Sequence, residues 1–115
     1  MDYQGSCHCG AISFDVSGDI QGAMQCNCSI CVRKGALMWF VPRQALQVRA
    51  APDAIGTYTF NKHVIKHNFC RTCGIHPYGE GAMPDGTAMA AINLRCLEGL
   101  DLSKIPVQHY DGRAV

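Results

Sequence analysis

The stretches GSCHCG at residues 5–10 and FCRTCG at residues 69–74 decide the fold, because each carries two cysteines followed by a glycine. Zinc binds thiolates tetrahedrally at about 2.3 Å, so its sulfur ligands lie roughly 3.8 Å apart. A C-x-C bend or a C-x-x-C turn provides that spacing, and the glycine supplies the backbone freedom such a turn needs. The two pairs predict a closed structural zinc site made of Cys7, Cys9, Cys70 and Cys73.

A third group, CNCSIC at residues 26–31, contributes Cys26, Cys28 and Cys31, and only Cys96 stands alone. Four plus three ligands match one closed site and one catalytic site whose fourth position is left to water or substrate. We therefore expect two zinc ions per chain. The alternative, a set of redox-active dithiols, lacks the βαβ context expected of a thioredoxin-like motif.

Composition restricts the class of protein. The 115 residues predict one domain over residues 1–115, and a net charge of +1 gives no attraction to nucleic acid or to an anionic membrane. The first ten residues, MDYQGSCHCG, lack the basic and apolar regions of a signal peptide. We therefore expect a cytoplasmic protein, in whose reducing surroundings eight cysteines indicate metal binding rather than disulfides. The sequence does not fix the oligomeric state.

Short apolar and alternating runs between turn residues predict an all-β fold. The predicted strands are 11–16, 37–41, 55–60, 63–69 and 87–94, with a hairpin turn at Asn61-Lys62. Residues 29–35 and 101–105 each predict a short helical turn, the second with Asp101 as its N-cap. No window sustains the 3.6-residue period of a longer helix.

The three cysteine groups, in this order, resemble the glutathione-dependent formaldehyde-activating enzyme family, also called the centromere-protein-V-like family. The matching segments are GSCHCGAISF at 5–14, NCSIC at 27–31, HNFCRTCGIHPYG at 67–79, INLRCLEGLDL at 92–102 and HYDGR at 109–113. The resemblance implies a β-tent fold shared with Mss4-like proteins. It also implies the same division of the cysteines, with a structural zinc on the first four and a catalytic zinc on the other three.

An open site with three thiolates predicts chemistry on a thiol. Three thiolates leave zinc a formal charge of −1, so it acidifies water poorly but suits a soft fourth ligand. A bound thiolate can add to an aldehyde carbonyl, and the reverse reaction is that of a carbon–sulfur lyase. We therefore expect a lyase whose partner is a small thiol or a thiol–aldehyde adduct.

Two other functions compete with the lyase. One is a zinc-stabilised, non-catalytic binding or chaperone-like module, which a fourth protein ligand beside the three cysteines would favour, with His76 and Cys96 as candidates. The other is a methionine sulfoxide reductase, suggested only by the dipeptide Arg95-Cys96.

Residues near the cysteines give further expectations. His76, three residues after Cys73, is a candidate catalytic acid/base, or else a histidine that is merely hydrogen-bonded at a strand start. Arg33 and Lys34 are candidates to receive a substrate carboxylate, or else two exposed charges.

Five more residues are not expected to take part in the chemistry. His8 and His67 lie beside the cysteine groups and are expected to be solvated, or else to donate hydrogen bonds to the metal ligands. Trp39 and Phe40 are expected to lie in the core because they belong to an apolar strand. Cys96 is expected to be a small buried hydrophobic residue.

Overall fold

The computed structural model describes residues 1–60 and 62–112, and there the chain consists mainly of short β-strands, which confirms the all-β prediction. The strands of the described ranges are β1 Asp2–Ser6, β2 Ile12–Ser17, β3 Ala23–Cys26, β4 Met38–Pro42, β5 Leu46–Ala50, β6 Ile55–Tyr58, β7 Lys66–Cys70, β8 Tyr78–Ala82, β9 Ala88–Asn93 and β10 Val107–Tyr110. One α-helix, α1, covers Cys31–Lys34. Short 3₁₀ turns cover Arg43–Ala45, Leu94–Cys96 and Leu102–Lys104.

In the described part of the chain, the strands form two sheets. The smaller has the order β1-β2-β5, and the larger has the order β10-β3-β4-β9-β8-β7-β6. The pairings are antiparallel except that of β10 with β3, which is parallel. The two clusters of cysteines lie at strand ends, so the sheets determine where the sulfurs meet.

The core lies where inward-facing side chains of the two sheets meet. Ile12, Phe14 and Val16 alternate with more exposed residues along β2, as the period-2 pattern predicted. Leu46 on β5 and Ile92 on β9 join them, and both are almost wholly buried. Burial of this apolar surface is the main non-metal contribution to stability.

Strand β4 divides its apolar residues between two faces. Trp39 is buried as expected, but Phe40 is 46% exposed, so the prediction that Phe40 lies in the core is wrong. Successive side chains of a strand point to opposite faces, so a continuous apolar run does not put every residue inside.

The predicted hairpin is present, with a later start to its second strand. β6 pairs with β7 from Ile55↔Cys70 to Tyr58↔His67, and β7 begins at Lys66 rather than at residue 63. Asn61 of the predicted turn lies outside the described residues. Because β6 ends at Tyr58 and β7 begins at Lys66, the connection between these strands is longer than a two-residue turn.

Both predicted helical turns form. The first is α1, which ends at Gly35 with a left-handed backbone (φ 65°). The second is the 3₁₀ turn at residues 102–104, where Asp101 accepts a hydrogen bond from the Ser103 backbone N–H at 3.1 Å. None of the helices in the described ranges has the length and apolar character needed to cross a membrane.

Gly5 on β1 lets the backbone of this strand pack closely against the Phe14 ring and the Cys96 carbonyl group. A Cβ atom at this position would overlap the Phe14 ring and lie 2.8 Å from the Cys96 carbonyl oxygen. Phe14 is fully buried and the carbonyl belongs to the backbone, so neither can move away cheaply.

We expect Gly5→Ala to lower the free energy of unfolding by about 1–3 kcal/mol, the usual cost of overpacking. Urea denaturation at a fixed metal concentration measures it. The matched control is Gly81→Ala on β8, where the nearest atom to a new Cβ is Ile65 Cγ1 at an ordinary 3.8 Å. Equal stabilities for the two variants would contradict this account of Gly5.

Candidate metal centres

The four-cysteine cluster, Cys7, Cys9, Cys70 and Cys73, is assembled as the sequence predicted. All four Sγ atoms lie within 4.8 Å of one another. The Cys7 and Cys9 sulfurs are 3.7 Å apart, and those of Cys9 and Cys70 are 3.5 Å apart. These separations are close to the roughly 3.8 Å that a tetrahedral zinc ion requires. The cluster fits such an ion.

Two loops of the same design present these four thiols. The Cys7 backbone N–H donates to the Ile12 carbonyl at 3.0 Å, and the Cys70 N–H donates to the Ile75 carbonyl at 2.9 Å. Each loop then turns at a glycine with a left-handed backbone, Gly10 (φ 85°) and Gly74 (φ 81°). Both glycines therefore serve as the sequence indicated.

Backbone N–H groups in these loops favour the ionised thiol. The N–H groups of Thr72 and Cys73 each donate to Cys70 Sγ at 3.4 Å. The backbone N–H of Ile75, and then that of Cys9, lowers the pKa of Cys73 to about 6. Thiolates are the ligand form for metals, so the loops prepare the cluster for a cation.

The three-cysteine cluster, Cys26, Cys28 and Cys31, also forms, with its Sγ atoms within 4.8 Å of one another. Cys26 ends β3, Cys28 lies in the turn, and Cys31 begins α1. Burial, followed by the Cys28 thiol, raises the pKa of Cys31 to about 12. Thiols bind metals as thiolates, so a metal ion at this cluster would have to displace the proton of Cys31.

No fourth ligand joins this cluster among the residues that the structure describes. The described histidine, cysteine and carboxylate side chains add no ligand atom to the three thiols, so neither His76 nor Cys96 belongs to this cluster. These were the two residues whose participation would have favoured a non-catalytic site.

The C-terminal segment packs over the three-cysteine cluster, a feature that sequence reasoning missed. The Asn27 N–H donates to the Tyr110 carbonyl at 3.2 Å, and the Asn27 side-chain amide donates to Asp111 at 3.0 Å. At Gly112 the backbone comes so near that an added Cβ would lie 2.5 Å from Cys26 Sγ. The only sequence signal was the HYDGR segment, which was noted for its resemblance and not for its position.

A cleft of about 870 Å³ runs from the four-cysteine cluster to helix α1. Its lining residues are Ser6, Cys7, His8, Ile30, Arg33, Lys34, Tyr58, Phe69, Gly74, Ile75, His76, Asn93, Arg95 and Cys96. Three of these carry a positive charge, and none of the lining residues in the described ranges is acidic. Ile30, Arg33 and Lys34, which are close to Cys31 in the chain, line one side of this cleft. Cys26 and Cys31 themselves line a smaller cavity of about 410 Å³.

His76 lies in this cleft with an unsatisfied ring nitrogen. Its Nδ1 is buried and has no hydrogen-bond partner among the described residues. Its ring packs at a tilt against Phe69, with centroids 5.5 Å apart. Burial, and then the charge of Lys34, lowers the pKa of His76. His76 therefore lines the cleft as a neutral ring, while its unpartnered Nδ1 lies beneath the cleft surface.

His67 and Lys34 differ from the sequence expectation of exposed side chains. His67 is only 7% exposed, so the prediction that it is solvated is wrong. It belongs to β7, which pairs with β6 on one side and with β8 on the other. Lys34 is half-buried, and its Nζ lies 3.5 Å from His67 Nδ1. His8 and Arg33 are exposed as expected.

Cys96 is half-buried and packs against the core, close to its predicted role. Burial, and then the charges of Cys7 and Cys73, raises the pKa of Cys96 to about 11. A thiol that resists ionisation is a poor nucleophile, which disfavours the reductase reading of Arg95-Cys96.

Replacing Gly112 by alanine tests the packing of the C-terminal segment. A free Cys26 side chain is able to rotate away from the new methyl group, but a Cys26 that holds a metal is not. We expect Gly112→Ala to weaken metal binding at the three-cysteine cluster by at least tenfold, with little change in the four-cysteine cluster of the same molecule. Competitive titration with a chelator measures both affinities, and equal weakening at both clusters would contradict the assignment.

Comparison with known proteins agrees with this geometry. The family model described as glutathione-dependent formaldehyde-activating enzyme matches residues 2–110. A crystal structure of a Rhodobacter sphaeroides protein is similar, with 31% sequence identity and a TM-score of 0.78 over 91% of this chain and 99% of that one. The matched range contains both cysteine clusters and nearly all of the described fold, and the chain therefore belongs to the glutathione-dependent formaldehyde-activating enzyme family.

Proposed function

We propose that this protein is a zinc-dependent carbon–sulfur lyase that releases an aldehyde from, or adds one to, a small thiol. The observation that carries the proposal is the three-cysteine cluster, which gathers three thiols without a fourth protein ligand among the described residues. Membership of the family supports an enzymatic role of this general kind. Eight cysteines without a disulfide support a reducing, cytoplasmic setting.

Both clusters present cysteine sulfurs, a ligand type that zinc prefers, within 4.8 Å of one another, and the four-cysteine cluster has two sulfur separations of 3.5 and 3.7 Å. Zinc bound by Cys26, Cys28 and Cys31 would lower the pKa of a substrate thiol in the fourth position and hold it as the thiolate. The four-cysteine cluster offers no such position, so we assign it a structural role. We therefore propose two zinc ions per chain, of which one takes part in the reaction.

The charge of the cleft supports an anionic thiol as the substrate. Arg33 and Arg95 line the cleft with exposed side chains, and the lining residues of the described ranges include no carboxylate that would compete for them. A guanidinium group binds a carboxylate through two parallel hydrogen bonds. We propose that these two residues bind the acidic end of the thiol. Tyr58 and Phe69 supply apolar surface for the rest of the substrate.

His76 is proposed to move the proton. When the adduct breaks down, Nδ1 takes the proton of the adduct hydroxyl, the C–S bond breaks, and its electron pair stays on the sulfur as the aldehyde leaves. In the reverse direction the proton that the thiol loses returns through Nδ1 to the new hydroxyl. Two observations support this role: His76 lines the cleft, and its Nδ1 has no hydrogen-bond partner among the described residues. A small rotation of the ring would bring Nδ1 to the substrate.

Coordination of a thiol is the decisive test of the function. In protein loaded with cadmium-113, the four-cysteine cluster provides an internal reference for a shell of four sulfurs. We expect added thiol to move the resonance of the three-cysteine cluster towards that reference, and an aldehyde adduct to be cleaved at a measurable rate. A Cys31→Ala variant should lose this second resonance and the activity. If the resonance does not respond to any small acidic thiol, the proposed function is wrong.

Replacing His76 tests the proton transfer. We expect His76→Leu to reduce kcat by about 10²–10⁴, the usual contribution of acid–base catalysis, without loss of either metal. Stability should be unchanged or higher, because the substitution removes a buried polar atom that has no partner. The control is His8→Leu, which alters an exposed histidine of the same cleft and should change kcat less than threefold. Equal kcat values in the two variants would exclude His76 from the reaction.

A further inference from the structure

Lys34 is an unusual lysine, because it is half-buried and forms no ion pair with a carboxylate of the described residues. It ends α1, one helical turn after Cys31, and its side chain lines the cleft. Among the described residues, the ion pairs involve other cations: the N-terminus, Arg43, Arg49 and Lys104. Lysine is seldom buried unless it is paired. Its presence here needs a reason other than the stability of the fold.

His67 holds Lys34 in place. His67 is buried, with 7% of its surface exposed. Its ring centroid lies 5.6 Å from that of Phe60, and its Nδ1 lies 3.5 Å from Lys34 Nζ. Burial, then the charges of Lys34 and His76, lowers the pKa of His67 to about 4, so the ring is neutral near pH 7. An ammonium group has donors only, so Nδ1 must accept the hydrogen bond and Nε2 must carry the proton.

This contact uses one N–H of the ammonium group and leaves the others available, on a side chain that lines the cleft. The thiols of Cys31 and Cys28 are near enough to favour the charged amine, although burial opposes it and prevails in lowering the pKa of Lys34. A cation fixed between the three-cysteine cluster and a cleft is placed to interact with negative charge that develops on a bound molecule.

We propose that Lys34 is a catalytic residue that stabilises the alkoxide formed when sulfur adds to the aldehyde, and that His67 is the residue that positions it. In this step the C–S bond forms, and the π electron pair of the carbonyl moves to oxygen. The Lys34 ammonium donates a hydrogen bond to that oxygen until it receives the proton from His76. The inference rests on the proposed function, and it adds the group that stabilises the negative charge developing on the alkoxide oxygen.

A purely structural role predicts something different. If Lys34 only balanced the charge of the thiolates, its loss would weaken metal binding and leave the reaction of the loaded protein unchanged. If it stabilises the alkoxide, its loss leaves metal and thiol binding intact and reduces turnover. Thiol binding, followed by the cadmium-113 resonance, therefore separates the two roles.

Lys34→Met is the first test, with Lys66→Met as its matched control, because Lys66 is an exposed lysine next to His67. We expect Lys34→Met to lower kcat by about 10²–10³, as does loss of one oxyanion donor elsewhere, with the affinity for the thiol changed less than threefold. Lys34→Arg keeps the charge but displaces it in a longer, planar group, so it should lose at least tenfold in kcat while folding normally. The control should keep its kcat.

His67 is tested by a pair of variants and by a measurement that needs no activity. His67→Asn keeps an acceptor near the Nδ1 position and should retain kcat within about threefold, whereas His67→Leu should lose at least tenfold. Nitrogen-15 NMR of the wild type should show Nε2 protonated and Nδ1 unprotonated at pH 7, and Lys34→Met should shift the Nδ1 resonance.

Three outcomes would overturn the inference, and they are distinguishable. Unchanged kcat in Lys34→Met and Lys34→Arg would exclude Lys34 while leaving the proposed lyase intact. Loss of metal from the three-cysteine cluster in Lys34→Met would assign it to charge balance instead. A wild-type protein that neither binds a thiol nor cleaves an adduct would overturn the proposed function, and the role of Lys34 with it.

Discussion

The contact among the sulfurs of Cys7, Cys9, Cys70 and Cys73 is the constraint on which the rest of the structure depends. One pair follows β1 in the small sheet, and the other begins at the end of β7 in the large sheet. A cation bound by these four ligands therefore joins the two sheets directly. It also closes a long loop of chain, whose closure otherwise opposes folding. Because metal binding and folding are coupled in small domains, the core between the sheets does not have to hold them together alone.

The two cysteine clusters differ in their surroundings. Around the four-cysteine cluster, two matching loops supply backbone N–H groups to the sulfurs, and the ligand set is complete. Around the three-cysteine cluster, the protein supplies the Gly112 backbone on one side and the cleft residues Ile30 and Lys34 on the other. The first arrangement would leave a bound metal ion without an open coordination position. In the second arrangement, Ile30 and Lys34 of the same segment line the cleft, and Cys26 and Cys31 themselves line the smaller cavity.

The sequence predicted the ligand clusters well because ligand spacing is a local property of the chain. It also located the alternating strand β2, where one residue in two is buried. It missed β8, YGEGA, because glycines hide a strand pattern, and β10, VQHY, because all its residues are exposed and only its pairing with β3 defines it. The burial of His67 and the exposure of Phe40 were likewise not predicted. Both depend on which strand lies alongside and on which face of the sheet is covered. These are tertiary contacts, which a short stretch of sequence does not reveal.

One cation accounts for much of the proposed chemistry. The charge of Lys34 contributes to the lowered pKa of both His67 and His76, after burial. A neutral His67 is able to accept the hydrogen bond that holds Lys34, and a neutral His76 is able to accept a proton from an adduct. The same charge that would stabilise an alkoxide therefore also keeps its two neighbours in the protonation state that the reaction requires. Removing Lys34 would thus alter three functional groups together, so the effects of single substitutions at Lys34, His67 and His76 should not add.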